Sequence, residues 1–227
     1  MIAENIQKIR ERIDAVCSRI KRDPEKITLV GVAKGRSLAE IEEAVRSGLR
    51  DIGENRVQEA LLKYQDLRTN EPTNLRTIRW HMVGHLQSNK AKDAVRIFDL
   101  VHSVDSVDLA QEINKQAVKI SKVQDVLLEV KTSPESTKFG FSPEGIPDAC
   151  AQTLKLSNIK VRGLMTIAPL GDNAQASRPY FAKLRKLRDS LDPELILSMG
   201  MSDDFEAAIE EGADIIRLGR AIFQNNV

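Results

Sequence analysis

Lys34 follows an apolar run from Ile27 to Ala33 (ITLVGVA) and precedes a helical pattern that starts at Leu38. The run has the length and Val/Ile content of a buried parallel strand. Lys34 therefore stands at the C-terminal end of a strand, where α/β folds place their ligands. Apolar neighbours would partly desolvate it, disfavouring the ammonium form and freeing the amine as a nucleophile. Such an amine condenses with an aldehyde or ketone to a Schiff base. On its own, Lys34 reads more simply as a lysine that snorkels out of a strand end.

A second signal lies toward the C-terminus. Another apolar run ends in Ser198, Met199, Gly200, Met201 and Ser202, and Asp203 and Asp204 then open a helix. Glycine allows close backbone approach, the serines offer hydroxyls, and the first amides of a helix are unpaired; these make an anion site. The last apolar run closes on Arg217, Leu218, Gly219 and Arg220, again with glycine at the turn into a helix. Each segment alone could be local architecture, with Ser202 and Asp203 capping a helix and Gly219 making a turn. Together, after the last two strands, they predict a phosphate site. Arg217 shares a face with residues 215 and 219. If that face is inward, the arginine needs a partner: a bound anion, a heterocycle nitrogen, or a carboxylate such as Glu54 or Glu129. A Schiff-base lysine beside a phosphate cradle fits a phosphorylated aldehyde, of which pyridoxal 5′-phosphate is the common example. A sugar phosphate in a class I aldolase would use the same two devices.

Eight strand-like runs must position these groups: Ile27–Ala33, Leu49–Gly53, Arg79–Val83, Leu100–Val104, Asp125–Lys131, Lys160–Ile167, Leu195–Met199 and Asp214–Leu218. Helical patterns fall between them, among them Val57–Leu67, Ser106–Ile120 and Ala174–Leu191, and an extra amphipathic helix over Ile2–Ile20 precedes the first. Strict alternation means parallel strands with right-handed crossovers. Eight such units predict an α/β fold, a single (β/α)8 TIM barrel occupying residues 1–227 as one domain. A doubly wound open sheet is the alternative. Thr69–Thr77, Thr132–Pro143 and Gly171–Ser177 read as loops, the latter two on the active face.

Composition narrows the function classes. With 34 basic and 33 acidic residues the net charge is +1, which gives no general attraction to nucleic acid or to a membrane surface. The basic run Lys183, Arg185, Lys186 and Arg188 reads as a solvated helix face. No apolar run approaches the ~20 residues of a membrane helix. Cys17 and Cys150 have no metal or disulfide spacing, which suits a reducing, cytoplasmic setting. His81, His85 and His102 could be imagined as a zinc site, but pocket lining and ordinary hydrogen bonding are the favoured reading, with no metal.

Four segments carry a family likeness: Trp80 to Lys90 (WHMVGHLQSNK), Gly53 to Glu59 (GENRVQE), Gly163 to Ala168 (GLMTIA), and Ser198 to Asp204 (SMGMSDD) with Arg217 to Gly219. Together, over Ile27 to Phe223, they resemble the YggS/PROSC family of pyridoxal phosphate homeostasis proteins. The resemblance implies a barrel similar to the N-terminal domain of alanine racemase. It implies that Lys34 carries the cofactor as a Schiff base and that Asn55, His81 and Met165 belong to the pocket. Ser198, Ser202 and amides near Gly219 would hold the phosphate, and Arg217 would face the pyridine nitrogen. The family is regarded as regulating the vitamin B6 pool and amino-acid metabolism, without an established reaction. Apo-enzymes that receive the cofactor are the implied partners, and a monomer is the family expectation. Many members follow the lysine with threonine, a basic residue and proline. Here Gly35, Arg36 and Ser37 follow, a change that bears on loop flexibility and cofactor exchange.

Arg217 also bears on mechanism. An arginine stays protonated at ordinary pH. Beside a pyridine nitrogen it opposes ring protonation and weakens the ring as an electron sink. A racemase compensates with acid and base groups on both faces. The only tyrosines, Tyr64 and Tyr180, read as helix-packing residues, and with the chain ending at Val227 no second domain is expected to complete such a site. Efficient racemisation is therefore expected to be absent, and no catalytic residue is assigned. An amino-acid racemase or lyase of limited activity is the alternative.

Overall fold

The computed structural model describes residues 1–69, 77–133, 139–169 and 174–224. Eight parallel strands follow one another around a closed barrel: β1 (Thr28–Val32), β2 (Asp51–Glu54), β3 (Arg79–Met82), β4 (Leu100–Val104), β5 (Gln124–Glu129), β6 (Ile159–Met165), β7 (Ile196–Ser198) and β8 (Ile215–Leu218), with β8 pairing back onto β1. Closure excludes the open-sheet alternative. Around it lie α1 (Ile2–Ile20), α2 (Leu38–Arg46), α3 (Val57–Thr69), α4 (Ala91–Ile97), α5 (Val107–Lys119), α6 (Ile146–Thr153), α7 (Ala174–Leu191), α8 (Phe205–Glu210) and α9 (Arg220–Phe223). The expected loops fall partly outside the described residues, at 70–76, 134–138 and 170–173.

Two apolar clusters follow from the period-2 pattern of the strands. One fills the lumen: Val30, Val83, Leu100, Leu127, Met165 and Ile215. The other lies between the outward strand faces and the helices and includes Ile52, Met82, Val101, Val126, Leu164 and Ile216. Helix α1 earns its place by one buried stripe, Ile2, Ile6, Ile9, Ile13, Val16 and Cys17. It packs on α2, α8 and α9 and carries ion pairs Arg12–Glu206 and Arg19–Glu210. Ser37 begins α2 with a reciprocal capping box with Glu40, and Ser106 caps α5 by accepting from the Leu109 amide.

In the basic run on α7, Arg185 pairs with Glu211 and Arg188 with Asp189, while Lys183 and Lys186 are exposed. Both cysteines are buried and free. Among the described residues no helix is long and apolar enough to cross a membrane.

Candidate functional site at the barrel mouth

The lumen cluster identifies the inward row of each strand. On β1 the row is Val30 and Val32, and its next member, past the strand end, is Lys34. On β2 it is Asp51 and Gly53, then Asn55; on β8 it is Ile215 and Arg217, then Gly219. The β1–β8 register sets Val30 against Arg217, so Lys34 and Gly219 end adjacent rows at the mouth. The desolvation expected for Lys34 is not there: the side chain is exposed, and among the described residues it has no hydrogen-bond or ion-pair partner. The strand ends at Val32, and the turn through Ala33 to Gly35 lifts Lys34 clear of the apolar wall.

That turn is braced. Gly35 has φ of 66°, a conformation that favours glycine. Arg36 pairs with Glu40 and lies over the Phe223 ring, so the departure from the family loop pattern leaves a tethered segment. From α3, Lys63 Nζ donates to the Ala33 carbonyl at 2.7 Å and to Glu54 Oε1 at 2.6 Å. Glu54 points outward from the barrel into this contact and is not the partner of Arg217. Burial pushes its carboxyl up, against the pull of Lys63.

Arg217 is buried in the lumen. Its Nη1 donates to Ser198 Oγ at 2.7 Å and its Nη2 to the Thr166 carbonyl at 2.9 Å. The second carboxylate weighed from the sequence, Glu129, ends the inward row of β5 and acts on the guanidinium through its charge. Burial pushes Glu129 up to about 7, with Asp105 adding to the effect and Arg217 opposing it. Burial likewise draws Arg217 down, to about 10, which leaves it cationic at neutral pH.

The structure redistributes the predicted cradle. Ser198 is fully buried, and its hydroxyl is occupied by Arg217 and His102 rather than presented at the mouth, because β7 ends on its inward row there. Ser202 stays in the cradle region: its Oγ accepts from the Ala221 amide at 3.2 Å, and Asp203 pairs with Arg220. These two links join the loops after β7 and β8. A Cβ at Gly219 would meet only ordinary contacts with Val32, at 3.5 Å and beyond, and its backbone angles suit any residue. Among the described residues nothing demands glycine there, which fits an approaching ligand. Helices α8 and α9 have six and four residues, so a cradle would rest on turn amides more than on helix dipoles.

Asn55 is half-buried beside a cavity of about 590 Å3 whose lining includes Gln58, Met82, His85, Gln87 and Lys90. Gly84 packs on it so closely that a Cβ would lie 2.5 Å from the Asn55 carbonyl oxygen. Gly84→Ala is expected to displace the β2 end and destabilise the protein by about 1–3 kcal/mol, measurable as a lower urea midpoint at unchanged slope.

Met165 is fully buried in the lumen cluster below the mouth. His81 sits lower than the sequence reading placed it. Its ring is buried, bonded to Asp51 and His102, and borders a cavity of about 400 Å3 at the N-terminal ends of the strands. His85 instead stacks on Phe139 and pairs with Asp105. The three histidines do not converge: the facing nitrogens of His81 and His102 bond to each other. Tyr64 meets Trp80 edge-on, and both tyrosines pack against the helix–barrel core, as expected. The residues missed by the sequence reading are Lys63, which shares the Ala33 turn, and Thr166 and Asp51, which complete the contacts of Arg217 and His81.

Amine, guanidinium, hydroxyl and turn amides thus surround one mouth, a donor set that fits a phosphorylated aromatic aldehyde. The alanine racemase N-terminal domain model matches residues 2–226. The pyridoxal phosphate homeostasis protein of Aquifex aeolicus is 45% identical, covering 97% of this chain and 96% of its own length. That of Pseudomonas aeruginosa is 41% identical, covering 98% and 94%. PipY of Synechococcus elongatus PCC7942, solved with PLP bound, matches with a TM-score of 0.83 and 36% identity, covering 98% of this chain and all of that one. Alanine racemase of Clostridium difficile 630 shares the fold, with a TM-score of 0.73 and 19% identity over 96% of this chain and 55% of its own. The chain belongs to the pyridoxal phosphate homeostasis protein family, within the larger group of alanine racemase N-terminal-domain barrels.

Proposed function

We propose that this chain binds pyridoxal 5′-phosphate at the barrel mouth and serves to hold and hand on the cofactor. The placement of Lys34 just past β1, beside the Arg217–Gly219 end of β8, carries the reading. Lys34 Nζ is the covalent anchor: it bonds to the aldehyde carbon and water leaves. Ser202 and the Gly219 and Arg220 turn amides take the phosphate, and Arg217 donates toward the ring nitrogen. When bound, the cofactor supplies an electrophilic carbonyl and an electron-accepting ring. A cationic Arg217 keeps that ring unprotonated and so limits its capacity to stabilise a carbanion. Both tyrosines are engaged in the helical shell, so neither serves as a base at the mouth.

The carrier role suits an exposed anchor, because exchange requires the amine to be reachable. Loaded protein is expected to reactivate an apo-enzyme that depends on the cofactor faster than the same concentration of free cofactor does. A rate no faster than from free solution would remove the carrier role. Exchange of the Cα proton of an added amino acid for deuterium, at a rate typical of enzymes, would instead favour a limited racemase or lyase.

A further inference from the structure

Five side chains from five strands form one unbroken hydrogen-bond path across the barrel lumen. Arg217 on β8 donates to Ser198 Oγ on β7 at 2.7 Å. Ser198 Oγ lies 2.9 Å from His102 Nδ1 on β4, across the barrel. His102 Nε2 lies 2.9 Å from His81 Nδ1 on β3, and His81 Nε2 lies 2.8 Å from Asp51 Oδ1 on β2. At the floor, Asp51 also accepts from Arg79 at 2.7 Å. All five members of the path are buried. The lining of the floor cavity beyond includes the pairs Arg79–Asp51 and Arg162–Asp125, so the path ends in ion pairs at the floor.

The chemistry of the ends gives this path a direction. A guanidinium can only donate, and a carboxylate can only accept. Burial alone would raise Asp51, but hydrogen bonds from His81 and Arg79 outweigh it and hold it below the usual carboxylate range. Burial, with the charge of Arg217 adding to it, holds His102 well below the usual imidazole range, so it is neutral. With both rings neutral, a hydroxyl and two imidazoles between an obligate donor and an obligate acceptor have one consistent arrangement. Ser198 donates to His102 Nδ1, His102 Nε2–H donates to His81, and His81 Nε2–H donates to Asp51. The Ser198 hydroxyl, all four imidazole nitrogens and both Asp51 oxygens then have partners, without burying a further charge.

We propose that Ser198, His102, His81 and Asp51 are positioning residues for Arg217: a one-way hydrogen-bond chain, anchored by Asp51 at the barrel floor, fixes the orientation in which the guanidinium meets the cofactor ring. This rests on the cofactor reading above. The charge of Glu129 draws on the same guanidinium, yet two of its nitrogens are held by Ser198 and by the Thr166 carbonyl. The chain and that carbonyl thus keep Arg217 from swinging to the carboxylate.

The first test uses the full-length protein without cofactor, labelled with 15N-histidine. Long-range 1H–15N correlation at neutral pH is expected to show His81 and His102 both neutral and both protonated on Nε2. A proton on His102 Nδ1, or a cationic His81, would overturn the direction. The second compares pyridoxal phosphate affinity and the cofactor absorption spectrum in His102→Phe, which breaks the chain, and His102→Gln, whose amide can accept at one end and donate at the other. His102→Phe is expected to weaken binding roughly tenfold and shift the spectrum, with His102→Gln recovering most of both. Equal affinity and spectrum in parent and His102→Phe would overturn the proposal. A parent that binds no cofactor would sink the cofactor reading instead, while the histidine measurement still decides the chain.

Discussion

Lys34→Ala is expected to leave the barrel folded and to abolish covalent retention of pyridoxal phosphate. The side chain is exposed and touches no described polar partner, so its removal should change stability by no more than about 0.5 kcal/mol. The visible band of loaded protein should vanish, and borohydride should no longer fix the cofactor to the chain. Weaker, reversible binding through Arg217, Ser202 and the Gly219 turn should persist. Other lysines are poor substitutes. Lys63 is held by the Ala33 carbonyl and by Glu54, and that contact would have to break before its amine could attack. Lys131, two residues beyond Glu129, is half-buried near the mouth. Peptide mapping that found the fixed label on Lys131 in the parent would move the anchor and refute the assignment of Lys34.

The barrel was readable because its signal is periodic and repeated. Eight apolar runs in order leave few alternatives, and the period of two predicts correctly that Arg217 shares a face with Ile215, a face the closed barrel turns inward. Strand ends were less readable: β1 stops at Val32 because the turn braced by Lys63 begins there, a contact made from α3 about thirty residues downstream. The apolar run alone therefore suggested a desolvated lysine where the fold exposes one.

Ser198 shows a different limit. Its motif marks it for a phosphate loop, but the end of β7 falls on it and turns its hydroxyl into the lumen. The nearness of His81 and His102 was legible from consecutive strands, and ordinary hydrogen bonding was favoured over a metal for it. What the sequence could not show is that Asp51 and Ser198 lie at either side of the pair and convert it into a hydrogen-bond chain. That depends on closure, which brings β7 opposite β4.

Under the proposed function, the exposed Lys34 and the buried guanidinium divide the labour at the mouth. Lys34 must be reachable for cofactor to enter and leave, whereas Arg217 must stay fixed to set the state of the ring. The fold achieves this by ending β1 early and tying Arg217 to Ser198 on β7 and to the Thr166 carbonyl just past β6. It follows that substitutions at Gly35 should alter exchange rates, while those along the lumen chain should alter affinity and spectrum.

Glu129→Gln is expected to stabilise the cofactor-free protein at pH 8 by up to about 3 kcal/mol and to have little effect near pH 4. Burial raises this carboxyl from 4.5 to about 7, so the folded chain binds its proton more tightly than the unfolded one. The associated stability is fully present below pH 4.5 and is lost as pH rises to about 7, where ionisation must occur in a largely dry mouth. A midpoint displaced that far corresponds to about 3 kcal/mol, and the attraction of Arg217 is already contained in it. Glutamine is neutral at every pH and nearly the same shape, so it imitates the protonated state. Urea unfolding at pH 4, 6 and 8 should therefore show the parent losing stability over this window and the variant losing less. Parallel pH profiles for the two proteins would mean that Glu129 is ionised throughout and pairs directly with Arg217. The guanidinium would then be shared between carboxylate and ring, and the lumen chain would no longer suffice to hold it.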